Sequence, residues 1–278
     1  MQPILFQVPG TDWEVQSYGF LLGLALLLGW IVSVRLASRD GLPADALGTG
    51  YVLVVVAAML AARAAWLWDS DGNPGWRELF ALQAGGMSPL AGIVVGSLVA
   101  VAYARAHKVS VLAWADCLAP ACALAIVLER LGAFLAGSSF GAYVDPTFPV
   151  GVRFPVGSPV FLYQRRTMEL LIAPGSSESL PVHPVQLYAA CLALLGLLGC
   201  WWWTRRRRFT GQITLAYAAY QLLAFALIEA PVRGDIERVT LISTPQVLAV
   251  LGAVFAGTLY WVRAQRTSVP EGGLEPPT

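Results

Sequence analysis

Seven continuous apolar runs divide the chain, near residues 17–35, 46–68, 86–104, 111–136, 185–203, 211–231 and 243–262. Each approaches or exceeds the ~20 residues that carry a helix across the hydrocarbon core of a bilayer. The runs do not alternate, so they predict helices and not the period-2 strands of a membrane barrel. The first opens with Ser17, Tyr18 and Gly19 and continues Leu-rich to Val34. The fourth contains Pro120 and ends at Glu129 and Arg130. A long connection, 141–182, carries Pro146, Pro149, Pro155, Pro159, Pro174 and Pro181. Those prolines predict an irregular or short-stranded cap without a helix. Residues 268–278 are rich in Pro and Gly and read as a disordered tail. The pattern predicts an all-α polytopic membrane protein, a single seven-helix domain over 1–267 with one external cap segment.

Composition supports that class. Of 278 residues, 57% are apolar and 13% charged, about half the charge of a soluble domain. This excludes a disordered chain, a basic-faced nucleic-acid binder and most soluble enzymes. Seventeen of the eighteen cations are arginine, Lys108 being the exception. Arg35, Arg39, Arg105, Lys108, Arg205, Arg206, Arg207, Arg208, Arg263 and Arg266 all fall on one side if there are seven spans. The opposite short connections hold only Arg77, Arg233 and Arg238. The positive-inside rule then places the N-terminus outside and the C-terminus in the cytoplasm. The cap also lands outside. Residues 1–16 contain no Lys or Arg, so no cleavable signal peptide is expected. Cys117, Cys122, Cys191 and Cys200 sit in apolar runs without a C-x-x-C pair. They read as small core hydrophobes, not as a disulfide framework or zinc site. Only His107 and His183 exist, on opposite sides, so no metal and no cofactor are expected.

Ionisable residues inside a membrane are costly and mark interior or water-lined positions. Arg63, in the middle of the second run, fits a lipid-headgroup role or a structural pair with an acid such as Asp116 or Glu229. Asp116 fits a helix cap or structural partner. Arg130 precedes a run dense in small residues, L-G-A-F-L-A-G-S-S-F-G, and fits a phosphate clamp or an interfacial anchor. His183 opens H-P-V-Q-L-Y. It fits a base, a phosphate donor or a helix cap, and the spacing favours the cap with Pro184 in the first turn. Gln186 and Tyr188 extend that motif inward. Glu229, followed by Arg233 and Asp235, fits a salt-bridged turn or a second phosphate-facing rim. Gly85 and Gly86 permit a close ligand approach before the third span. On the outward side, Tyr18, Gly85, Gly86, Arg130, His183, Glu229 and Arg233 predict one cavity for a ligand with a phosphate head and apolar tails.

These landmarks, in this order, resemble the prolipoprotein diacylglyceryl transferase family. The matching pieces are SYGFLLG, LQAGGMS, ERLGAFLAGSSFG, HPVQLY and GQIT…LIEAPVRGD, spread over residues 17–262. The resemblance implies seven spans in the bacterial plasma (inner) membrane. It implies transfer of a diacylglyceryl group from phosphatidylglycerol to the signal cysteine of a lipoprotein precursor. The partners are then phosphatidylglycerol, the precursor's signal peptide and the bilayer, with no nucleic acid. Arg130, His183 and Tyr18 become the expected catalytic residues. Arg63, Arg130, Gly85, Gly86, Gln186, Tyr188, Glu229 and Arg233 become the expected lipid-binding residues. The chain also departs from the family pattern. G-G-M-S-F-H-G-G becomes G-G-M-S-P-L-A-G, with Leu90 in place of the histidine. R-F-L-I-E-F carries Phe225 in place of its arginine, and H-P-x-Q-L-Y-E carries Ala189 in place of its acid. R-I-G-N-F-x-N-G-E loses both asparagines and its glutamate. Two alternatives therefore stand beside the transferase: a catalytically impaired lipid-binding relative, and a lipid-group transferase with a different acceptor.

Overall fold

The computed structural model describes residues 4–7, 14–71, 78–80, 86–168, 171–173, 175–234 and 242–268. The expected tail, from residue 269 on, and Gly85 lie outside them. Among the described residues, seven helices are long and apolar enough to cross a membrane: Ser17–Arg39, Ala44–Asp69, Pro89–Ala106, Val111–Ala136, Val185–Trp203, Gln212–Val232 and Thr244–Thr267. They coincide with the seven apolar runs, with ends shifted by a few residues. Large apolar side chains point outward along them, among them Ile93, Leu98, Phe255 and Trp261, each more than 60% exposed. A water-soluble fold would bury such a surface, and lipid tails cover it in a bilayer. The chain is a multi-pass membrane protein.

The helices are α1 (Ser17–Arg39), α2 (Ala44–Asp71), α3 (Pro89–Ala106), α4 (Val111–Ala136), α5 (Pro159–Thr167), α6 (Val185–Trp203), α7 (Gln212–Ala224), α8 (Ala230–Val232) and α9 (Thr244–Ser268). A short antiparallel pair, β1 (Ile4–Gln7) and β2 (Glu14–Gln16), precedes them. The chain divides into two compact units. One comprises residues 30–118, and the other residues 1–29 with 119–278.

In the 30–118 unit, α2 and α3 pack through small residues. Cβ atoms on Gly92 and Gly96 would meet the Ala58 carbonyl and methyl at 3.1 Å. Such close approach gives helices dispersion contacts that large side chains would block. Tyr103 donates its hydroxyl to the Ala46 carbonyl at 2.7 Å and packs on Trp114. The buried cluster around them contains Leu36, Leu47, Ala104, Trp114 and Cys117.

In the larger unit, Ala119 and Ala123 of α4, Cys200 of α6, and Ile213 and Tyr217 of α7 form one core. The four cysteines carry free thiols. Pro120 lies inside α4 without ending it. The span from Gln212 to Val232 is not uniform. It passes through a π-turn at Phe225–Glu229, closed by the Ala230 N–H donating to the Phe225 carbonyl. Pro231 explains the widening, because its ring clashes with the carbonyl four residues back and it has no N–H to give. The Ala226 carbonyl, whose π-register partner is that proline, accepts instead from Gln246 Nε2 of α9 at 3.1 Å.

The cap corrects one sequence expectation: it contains a helix, α5. Ser158 is its N-cap, accepting from the Phe161 N–H at 3.3 Å, and Pro159 occupies the first turn. A proline there fits a helix start, since the first-turn N–H needs no intrahelical partner. Phe140, Phe154, Val160 and Val182 form the cap's own core. Gln164 of α5 is buried and bonds both backbone groups of Leu180. Around this core, short pairings join Gly141 to Arg233, Tyr143 and Val152 to Val182, and Pro155 to Glu178. The segment 140–143 thus runs between 232–234 on one flank and 182–183 on the other.

Candidate functional site

The larger unit gathers Tyr18, Glu129, Arg130, Glu229 and Arg233 into one polar cluster. Gly132 sets part of the geometry: a Cβ there would meet the Tyr18 Cα at 3.3 Å, so α4 rides closely on the first turn of α1. The Tyr18 hydroxyl donates a hydrogen bond to Glu129. Arg130 Nη2 lies 3.0 Å from Glu229 Oε1, and Arg130 Nε lies 3.3 Å from Glu129 Oε2. Arg233 Nη1 meets the same Glu229 oxygen at 3.1 Å. Glu229 is 2% exposed. Two carboxylates and two guanidinium groups cancel in charge, which is how a low-dielectric site tolerates them.

The π-turn matters here. It adds a residue to the helical register just before Arg233, and Glu229 and Arg233 face each other four residues apart. Arg233 is also fixed through its backbone. Its segment pairs with Gly141, the Gly234 N–H donates to Phe140, and the Ala142 N–H donates to Val232. Beside it lies a cavity of about 300 Å³, lined by Tyr143, Tyr163, Gln164, Met168 and Arg233 among others.

Arg130 holds one further feature. Its Nε is buried and, among the described residues, has no hydrogen-bond partner, although it stands in the ion pair with Glu129. A buried N–H without a partner costs on the order of 1–3 kcal/mol. An oxygen-rich anion would satisfy it, and the planar fork of arginine suits a phosphate.

A second group forms on the other flank of segment 140–143. The His183 N–H donates to the Ala142 carbonyl at 3.0 Å. Its imidazole Nδ1 lies 3.4 Å from the Tyr188 hydroxyl, and Phe148 packs edge-on against the ring. Partial burial holds the imidazole below its ordinary pKa of 6.5, so it is neutral near pH 7. The expected side-chain cap is corrected: Pro184, not His183, occupies the N-cap of α6, and the described residues show no side-chain cap hydrogen bond there. Gln186 is fully buried and donates to the Ser138 carbonyl at 2.7 Å, tying α6 to the turn after α4. Gly141 separates the two groups. Its missing side chain leaves room for the His183 backbone on one side while its own backbone pairs with Arg233 on the other. Two strand spacings, on the order of 10 Å, therefore part the His183 and Arg233 backbones.

Arg63 and Gly86 lie in the 30–118 unit and touch each other. Arg63 is buried; its Nη1 donates to the Gly86 carbonyl at 3.0 Å and its Nε to the Glu78 carbonyl at 3.2 Å. Its guanidinium stacks 5.1 Å over Trp66. Leu90, where the family pattern has a histidine, is 59% exposed. Glu129 did not emerge from the sequence as a site residue. Its signal was its place beside Arg130 at the end of an apolar run.

The family model described as prolipoprotein diacylglyceryl transferase matches residues 3–262. Among similar proteins is a phosphatidylglycerol–prolipoprotein diacylglyceryl transferase of Clostridium tetani, 22% identical over 90% of this chain and 93% of its own. One of Clostridium perfringens is 23% identical over 94% of each chain. One of Acinetobacter baumannii is 27% identical over 70% of this chain and 67% of its own.

Proposed function

The chain belongs to the prolipoprotein diacylglyceryl transferase family, and we propose on that premise that it moves a diacylglyceryl group from phosphatidylglycerol to the signal cysteine of a lipoprotein precursor in the bacterial inner membrane. The observation that carries this reading is the Arg130–Glu229–Arg233 triad with its unsatisfied Arg130 Nε.

The reaction forms a bond between the cysteine sulfur and the glyceryl carbon that bears the phosphate. The carbon–oxygen bond to that phosphate breaks, and glycerol phosphate leaves with one more negative charge. Arg130 and Arg233 meet that growing charge, as donors aimed at a developing anion should. Glu229 holds both guanidinium groups in place between turnovers. Tyr18 orients Glu129, which flanks Arg130. His183, neutral and partly exposed, accepts the thiol proton and so raises the thiolate fraction of the incoming cysteine. The exposed apolar helix faces leave the acyl tails in lipid.

Rescue of cells depleted of their own transferase tests the proposal. Growth with the wild-type chain and its loss with Arg130→Ala are expected. No rescue, with the protein present in the membrane, would favour the lipid-binding relative, a reading that Leu90 and Phe225 also suit.

A further inference from the structure

A second arginine site lies at the opposite end of the larger unit from the cap. The turn after α6 carries Arg205, Arg206, Arg207 and Arg208, and the end of α9 adds Arg263 and Arg266. The chain has no acid between Glu178 and Glu229, and none in 242–268. Among the described residues, neither Arg206 nor Arg208 has a carboxylate within ion-pair distance.

Topology alone would need only the charge. Here the charge lines a built cavity of about 550 Å³, walled by Trp202, Arg206, Arg208, Phe209, Gln212 and Tyr260 among others. That volume falls in the range of small-ligand sites. Its walls are fixed. The Arg206 guanidinium stacks 4.6 Å over the Trp202 ring. Gln212 is buried, accepts from the Arg208 backbone N–H at 2.6 Å, and donates to the Tyr260 hydroxyl at 3.2 Å. Tyr260 accepts that bond, so its own hydrogen can be donated at the cavity wall. Phe209 packs edge-on against Tyr260. Arg263 reaches across to the Thr210 carbonyl at 3.2 Å. The turn is thus braced between α6, α7 and α9.

Along the face of α6 that carries Trp202, Leu195 and Leu198, seven and four residues back, are exposed as well. This combines guanidinium forks that meet no acid among the described residues, a phenol donor, an interfacial tryptophan and an apolar helix face. We propose that the cavity binds the phosphate headgroup of an anionic phospholipid from the leaflet on the arginine-rich side, with its acyl chains along α6. Two arginine forks suit phosphate oxygens. Basic pockets between transmembrane helices on the cytoplasmic side are suited to such headgroups. The site is separate from the Arg130 cluster and does not depend on the transfer reaction.

The test is native mass spectrometry of the full chain in detergent, titrated with phosphatidic acid or with phosphatidylcholine. The wild type should retain phosphatidic acid in preference to phosphatidylcholine, one molecule of it at this cavity beside any at the Arg130 cluster. Arg206→Gln with Arg208→Gln should weaken retention by roughly tenfold or more. Arg205→Gln with Arg207→Gln removes the same charge from outside the cavity wall and should leave retention near wild type. Equal loss in both double variants would overturn the proposal, since the run would then act as diffuse charge. Equal retention of phosphatidylcholine would also overturn it. Inorganic phosphate should not displace the lipid; displacement would make free phosphate the ligand and contradict a lipid site. A thermal melt of each variant, unchanged from wild type, shows that loss of lipid is not loss of fold.

Discussion

The two arginine groups of the larger unit handle charge in opposite ways. Around Glu229, two guanidinium groups share one carboxylate that is 2% exposed, and Glu129 stands beside them. Around Trp202, exposed arginines line a cavity and meet no acid among the described residues. Burial accounts for the difference. A charge removed from water must find a counter-charge, whereas one at the membrane surface is solvated or meets lipid. The paired group therefore leaves one donor, the Arg130 Nε, without an aligned acceptor among the described residues. The unpaired group attracts anions broadly, and its walls select among them.

Breaking the paired group should have the larger consequences. Arg130→Ala should lower diacylglyceryl transfer on the order of 10²–10³-fold, the cost of losing a donor to the developing charge. A single-turnover assay with phosphatidylglycerol and a signal peptide reads it. Glu229→Gln leaves Arg130 and Arg233 facing each other with one counter-charge fewer. It should destabilise the protein by about 3 kcal/mol, measured as a lower denaturation midpoint in detergent.

Tyr18→Phe removes one hydrogen bond to Glu129 and should cost about 1 kcal/mol, with a smaller drop in rate than Arg130→Ala. Arg206→Gln, in the unpaired group, should change stability by less than about 0.5 kcal/mol. A large loss there would mean that the two regions are not so different after all.

His183 adds a pH dependence to the transferase reading. Its folded-state pKa is depressed by burial from 6.5, so the unfolded chain binds its proton first as pH falls. The stability tied to the neutral ring is full above pH 6.5 and is lost as pH drops from there through the folded value. Transfer should stay level from pH 8 to 6.5 and decline below the folded value, and His183→Gln should flatten that acid limb.

The spans were legible because each needs only a local run of apolar residues, and no partner has to be known. The positions of Tyr18, Arg130 and Glu229 were legible as costly polar residues in such runs, and that of Arg233 as a cation just beyond one. Their pairing was not. It joins α1, α4 and the end of the sixth span across about a hundred residues each, and nothing local in the chain encodes that approach. The π-turn was signalled only by Pro231, which on its own predicts a helix end as readily as a widened turn. The α5 helix was hidden by counting prolines as breakers, although Ser158–Pro159 is a helix start in its own right.

The central claim is that the Arg130 cluster supports diacylglyceryl transfer even with Leu90, Phe225 and Ala189 where the family pattern has polar groups. The most direct measurement is the mass of a cysteine-bearing lipoprotein signal peptide after incubation with the purified chain in phosphatidylglycerol vesicles. A thiol-linked diacylglyceryl adduct, formed by the wild type and lost with Arg130→Ala, is expected. A peptide of unchanged mass, with folded wild-type protein in the same vesicles, would contradict it.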